Sequence, residues 1–294
     1  MSKKAKIGLM QVMSTLEWDM ETKLNHMYEL AERCLKDGAD LVFMPEGYQY
    51  SDNMDILNRP DDLRIITSQW HRRCGELAKH YSAYVVPWDY EIDNNGRKYN
   101  CSYILDRTGK EVGRYRKVHL PYGEYIWDLT NGEDFPVFDL DIGRVGIMIC
   151  FDNYWVESAR IMGLRGAQLI LYPLYGDTLH GVWELKMRAR AIDNSLYVAS
   201  CQVDDKYDIA YTGLVDPHGD VLVKLTENAS YCVVEIDMGL EVVTSTMARP
   251  EYKENIREYL ISARQTQAYS PLLKPVKAQS WDEIFYNNVP GRDF

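Results

Sequence analysis

An α/β domain, with helices laid over sheets whose other faces are packed, is the fold class this sequence predicts. Three observations carry it. Apolar runs of strand length alternate with segments of helical period from the first residues onward. Asn-Asn-Gly at 94–96 and Arg-Thr-Gly-Lys at 107–110 divide the middle of the chain into antiparallel hairpins. No internal repeat and no low-complexity linker interrupts this pattern.

Taken in order, residues 6–13 (KIGLMQVM) read as a strand. Residues 21–36 carry Leu24, Met27, Leu30, Ala31, Cys34 and Leu35 at helical spacing. A glycine turn then leads into a buried strand, LVF, which Pro45 ends. Residues 63–80 read as a second helix and 83–88 as a strand. Hairpins fill 91–117. RVGIMIC at 144–150 is a strand and 155–167 a helix, followed by the strand QLILYP. Residues 178–195 form a helix of mixed charge, and strands over 196–203, 210–225 and 231–238 complete the sheets. From residue 244 the character changes to a short helix near 254–264 and then an irregular stretch with three prolines. The division is therefore a domain over 1–243 and an extension over 244–294 that docks on the core or on a neighbouring subunit.

Composition bounds the function. The 294 residues are 46% hydrophobic and 26% charged, enough for a sizeable core. A net charge of -11 argues against a nucleic-acid phosphate backbone as the main partner, since that needs a positive footprint. No apolar run has the length of a membrane span or the form of a secretory leader. The six cysteines form no CxxC pair, which predicts a reduced, cytoplasmic setting with most of them acting as small core hydrophobes. No Cys/His ligand cluster calls for a metal, and no cofactor is expected.

Cys150 stands apart from the other thiols. It closes an apolar strand and is followed at once by polar and aromatic residues, at a strand end of the kind where α/β proteins gather reactive groups. Glu46 follows another strand in LVFMPEGY, and Lys117 ends a hairpin strand in GRYRKVHLP. Singly, each has an ordinary structural explanation as a loop carboxylate, a surface lysine or a core thiol.

Together, LVFMPE, GRYRKVHLP and GIMICFDNYWVESAR, followed by RARAIDNSLYVASCQ and GLVDPHGDVL, resemble the nitrilase superfamily of carbon–nitrogen hydrolases over roughly residues 6–259. The resemblance implies a four-layer αββα sandwich and a Glu46–Lys117–Cys150 triad, with Glu124 of PYGEY as a further glutamate in the substrate-positioning loop. In those roles Glu46 is the base, with a pKa raised by burial. Lys117 and the backbone N–H of Phe151 face the oxyanion. Glu124 either bonds the leaving nitrogen or positions Lys117.

The implied substrate is a small linear amide or N-carbamoyl compound. Nitrilases of the superfamily typically carry Trp-Glu after the cysteine, and here Phe151-Asp152 stands instead. N-carbamoyl amino acid amidases share His119 after the lysine, yet hold a substrate carboxylate with two arginines where this chain has Asn153 and Tyr154. That favours a neutral or cationic amide. By the same resemblance Tyr175, Asp177 and Trp183 lie near the pocket mouth. Asp152 either meets a substrate amine or caps the helix that follows it. Other readings stay open: a nitrilase, a non-catalytic scaffold, or a papain-like enzyme using His119, His180 or His218. The resemblance also implies a homodimer or higher homo-oligomer, and the apolar breadth of 155–166 agrees.

Overall fold

The computed structural model describes residues 2–13, 17–51, 53–176, 182–204, 211–226, 230–245 and 253–273. The chain divides into two compact units, Met1–Val242 and Val243–Phe294. In the first unit, strands β1 (Lys4–Met13), β2 (Leu41–Phe43) and β3 (Tyr84–Val86) run parallel. On one side β5 (Lys98–Leu105) pairs antiparallel with β3, and β4 (Trp88–Ile92) and β6 (Glu111–Arg116) each pair antiparallel with β5. β7 (Val137–Leu140) pairs with β8 (Gly143–Ile147), which starts a second parallel set with β9 (Leu169–Leu174) and β10 (Tyr197–Asp204). β11 (Thr212–Val215) and β12 (Val221–Leu225) extend that set, and β13 (Ser230–Asp237) flanks β1.

The two sets are joined where the end of β1 pairs with β10, at Gln11 with Gln202 and Val12 with Val203. The sheet is thus continuous and curls on itself. Its inner faces share one core that includes Ile7, Leu9, Val42, Ile147, Leu171 and Val198, all fully buried. Helices α1 (Met20–Lys36) and α2 (Pro60–Tyr81) cover the first set, and α4 (Val156–Leu164) and α5 (Val182–Asn194) the second. This is the αββα sandwich. The single-turn helix α3 (Tyr122–Ile126) falls between α2 and α4 in the chain, after β6.

Local chemistry explains the helices. Asp19 caps α1 by accepting from the Thr22 N–H at 2.8 Å, and Arg33 and Lys36 complement its C-terminus. Pro60 opens α2, and Asp61 and Asp62 sit in its first turn. Close approach places α4: a Cβ on Gly146 of β8 would come within 2.5 Å of Met162 Sδ. The second unit contains a two-stranded ribbon, β14 (Val243–Ser245) with β15 (Lys253–Asn255), and the helix α6 (Ile256–Ser262) capped by Asn255. No helix among the described residues is long and apolar enough to cross a membrane.

Candidate active site

Three strand ends deliver the three chemistry-bearing side chains. β2 runs out at Phe43, and Gly47, at φ 72°, turns the chain sharply one residue after Glu46. Gln49 and Tyr50, just beyond, tie that segment to β4: Gln49 Nε2 donates to Trp88 O at 3.1 Å and Tyr50 OH to Asp89 Oδ1 at 2.9 Å. Lys117 follows β6, its N–H bonded to Asn100 O at 2.9 Å and its carbonyl accepting from Gly132 N at 2.7 Å. Cys150 opens a 3-10 turn, Cys150–Tyr154, two residues after the β8 ladder continues through Met148 N to Leu171 O. Its φ is 42°, a left-handed conformation that a β-substituted residue adopts only when its surroundings impose it.

The side chains meet. Lys117 Nζ donates to Glu46 Oε1 at 2.7 Å and to Glu124 Oε1 at 2.8 Å. Asn100 Nδ2 donates to the same two oxygens, at 2.7 Å each. Tyr175 N reaches Glu46 Oε2 at 3.3 Å, and Cys150 Sγ lies 3.7 Å from Gly176 O. Glu46 is 5% exposed and Lys117 1%, so the charges act on one another with little solvent between them.

That burial sorts the protonation states. Desolvation pushes the Cys150 thiol well up and the negative Glu46 adds to this, with Lys117 opposing, so the resting group is the neutral thiol. Lys117 is held well above the ordinary lysine value: burial works against its charge, but Glu124, Glu46 and Cys150 outweigh it. The two carboxylates divide. Burial raises Glu46, yet the Lys117 charge and hydrogen bonds from Lys117, Asn100 and Cys150 carry it below the ordinary value. Burial and the neighbouring Glu46 push Glu124 up to about 7, against the pull of Lys117. The raised carboxylate is therefore Glu124, not Glu46 as the sequence suggested. Glu124 Oε2 is buried without a hydrogen-bond partner among the described residues.

Asp152 neither faces an amine nor caps α4. It is fully buried and accepts from Tyr115 OH at 2.6 Å, His119 N at 2.9 Å and Ile149 N at 3.0 Å, clamping the turn that begins at Cys150. His119 Nδ1 bonds the same carboxylate at 2.9 Å, and its ring stacks on Trp155 with centroids 4.1 Å apart. His119 thus belongs to the support of the turn. Phe151 packs against Tyr154 and Trp155. Asn153 is buried, its carbonyl held by Arg190 at 2.8 Å. The Tyr154 ring carries Lys186 Nζ 3.0 Å from its centroid. Trp183 is a core residue between Tyr172 and Tyr211, 1% exposed, rather than part of a pocket mouth. Its helix turns it inward. Asp177 and His180 lie outside the described residues. Among the described residues, no group of three or more His, Cys, Asp or Glu is arranged to hold a metal.

The carbon-nitrogen hydrolase family pattern matches residues 6–244, across all of these elements. The chain belongs to that family. A chloroplastic omega-amidase of Arabidopsis thaliana is 31% identical over 258 residues, 81% of this chain and 69% of the relative. The mouse omega-amidase NIT2 is 30% identical over 230 residues, 73% of this chain and 83% of the relative. In three dimensions a carbon-nitrogen hydrolase from Helicobacter pylori superposes with a TM-score of 0.77 at 24% identity, covering 93% of this chain and 99% of that one. Nit3 of Saccharomyces cerevisiae, of the nitrilase superfamily, gives 0.71 at 23% identity over 90% and 97%.

Within this carbon–nitrogen hydrolase, sequence reasoning missed Asn100, Trp88, Tyr115 and Arg190. Arg190 had a signal: it is a charged side chain on the helical period of Trp183, Met187 and Asn194, the face of α5 that points inward.

Proposed function

We propose that this chain hydrolyses the carbon–nitrogen bond of a small linear amide, or of an N-carbamoyl compound, through a thioester on Cys150. The observation that carries the reading is the buried Glu46–Lys117 ion pair beside a neutral thiol held at a left-handed turn. The omega-amidase relatives support an amide as the group attacked and a terminal amide as its form.

Geometry and charge suggest the steps. Cys150 Sγ attacks the amide carbon while its proton passes to Glu46, which is ionised at neutral pH because Lys117 and Asn100 hold it so. The oxygen gains the electron pair of the broken C=O π bond and is stabilised by Lys117 and the Phe151 N–H. Glu46 returns its proton to the departing nitrogen, the C–N bond breaks, and ammonia or an amine leaves. Water then attacks the thioester, giving its proton to Glu46, and the C–S bond breaks with the thiol reprotonated. Glu124, carrying its proton on the unpartnered Oε2, donates to the substrate beside Lys117. Phe151, Tyr154 and Tyr175 bound the acyl side. A reducing, cytoplasmic setting fits the six free cysteines.

The test is ammonia release from a panel of linear amides, N-carbamoyl compounds and nitriles, with intact-mass analysis during turnover. An acyl adduct on Cys150 and loss of hydrolysis in Cys150→Ala are expected. Full activity of Cys150→Ala, or turnover of nitriles alone, would overturn the reading.

A further inference from the structure

Asn100 sits on β5 with its side chain 1% exposed, in direct contact with two of the groups discussed above. A primary amide offers two N–H donors and one carbonyl acceptor. Here both Nδ2 hydrogens are used, one on Glu46 Oε1 and one on Glu124 Oε1, each at 2.7 Å. The carbonyl Oδ1 accepts from Trp88 Nε1 at 2.6 Å. An indole N–H can only donate, so Trp88 fixes which way the amide faces. Turned over, the amide would set a donor against the indole and its oxygen against two carboxylates. The backbone of the same residue accepts from Lys117 N at 2.9 Å.

We infer that Asn100, oriented by Trp88, is a positioning residue of this active site: it holds Glu46 and Glu124 on the same two oxygens that Lys117 bridges, and so fixes the base against Cys150. This rests on the proposed roles of Glu46 and Cys150. Three groups of the site, Glu46, Glu124 and the Lys117 backbone, are tied to this one residue, and Trp88 orients it. The chemistry explains the residue type. Two carboxylates sharing one ammonium need a second donor. A second cation would neutralise the base, whereas an amide donates twice and adds no charge. An aspartate there would turn its oxygens on both glutamates.

The remaining titratable groups facing the pair are Lys117 after β6, Cys150 after β8 and Tyr90 on β4. Hydrogen bonds from Asn100 lower both carboxylates, so removing them raises Glu46 and Glu124 together.

The experiment uses the full chain carrying Asn100→Ala or Trp88→Phe. It measures hydrolysis of the amide turned over fastest by the unmodified protein, and alkylation of Cys150 by iodoacetamide, both against pH. In Asn100→Ala, kcat/KM should fall on the order of 10²-fold, mostly in kcat, as for a misplaced catalytic group. The acidic limb of both profiles should move to higher pH. Trp88→Phe keeps a ring in place but loses the donor, and should shift the limb the same way by less. Should Asn100→Ala fail to fold, Trp88→Phe decides. Unmoved acidic limbs and unchanged kcat would overturn the positioning role, even if the melting temperature dropped. Cys150→Ala separates the two ideas. If it is inactive while the Asn100 and Trp88 variants behave as wild type, only the positioning role fails; if it is active, the nucleophile assignment fails first.

Discussion

Glu46 and Glu124 share one ammonium and one amide, yet their environments drive them apart. Glu46 meets Lys117, Asn100 and the thiol and stays ionised; Glu124, raised by burial and by the neighbouring Glu46 charge, keeps a proton up to about 7. This has a measurable consequence for stability. A carboxyl raised from 4.5 to about 7 in the folded state favours folding fully below 4.5, and that contribution is lost as pH rises through about 7. Glu124→Gln cannot lose a proton, so its melting temperature should fall less than the parent's between pH 5 and pH 8. An unchanged pH dependence would show that Glu124 does not carry the shifted proton. Activity separates the base from the histidine. Glu46→Gln keeps the shape and removes proton transfer, with an expected loss of roughly 10²–10⁴-fold in kcat. His119 is bonded to Asp152 and stacked on Trp155, so His119→Asn should be milder, acting through the turn. The reverse ranking would move the protein to a Cys–His mechanism.

At the scale of elements, each reactive group is placed by what comes after a strand, and the supports are loops. Gly132 is one: a Cβ there would be driven into the carbonyl oxygen of Arg116, while its N–H already holds Lys117 O at 2.7 Å. Gly132→Ala should therefore displace the backbone that carries Lys117. The expected cost is about 1–3 kcal/mol of stability, as for other overpacked sites, with kcat falling in parallel. Denaturant unfolding together with initial rates would check it, and a stable, fully active variant would contradict it. The same distinction between element and loop decides what could be read in advance. α1, α2, α4 and the main strands follow hydrophobic period, and the period is in the residues themselves. α3 has five residues, too few to display a period, and the 3-10 turn at Cys150–Tyr154 interposes between strand and helix where the sequence showed only a helix start. Asp152, for which the sequence offers a substrate amine or a helix cap, belongs to that turn instead. Only the resemblance puts Trp183 at a pocket mouth; on α5 it falls at Met187–Arg190–Asn194 spacing, on the face that enters the core. Asn100 looked like one more residue in an alternating strand. Its importance comes from Trp88 and Glu46, which are near it only after β4 and β5 pair and β2 is laid alongside through β3.

For the whole molecule, the question is what the outer helix layer is for. α4 and α5 pack on each other and on the second strand set, but leave Val156 53%, Leu185 67% and Ile192 49% exposed. Exposed apolar side chains of that size on one helical layer are candidates for a seam with a second copy, and closed two-fold pairing is the commonest way to cover one. The same helices grip the nucleophile's turn from behind. Ser158 of α4 donates to Asp152 O at 2.9 Å, and Arg190 of α5 donates to Asn153 O at 2.8 Å. Pressure on this layer is thus passed to the two residues that follow Cys150 and Phe151. A dimer formed through it would hold the left-handed turn in place, and losing the dimer would relax that hold. Leu185→Glu sets a charge at the most exposed of these apolar positions without changing any residue of the site. It should give a monomer by light scattering, with kcat reduced and iodoacetamide labelling of Cys150 slowed at the same concentration. A Leu185→Glu protein that stays dimeric would move the interface elsewhere, and a monomer of full activity would show that the turn around Cys150 is held by its own chain alone.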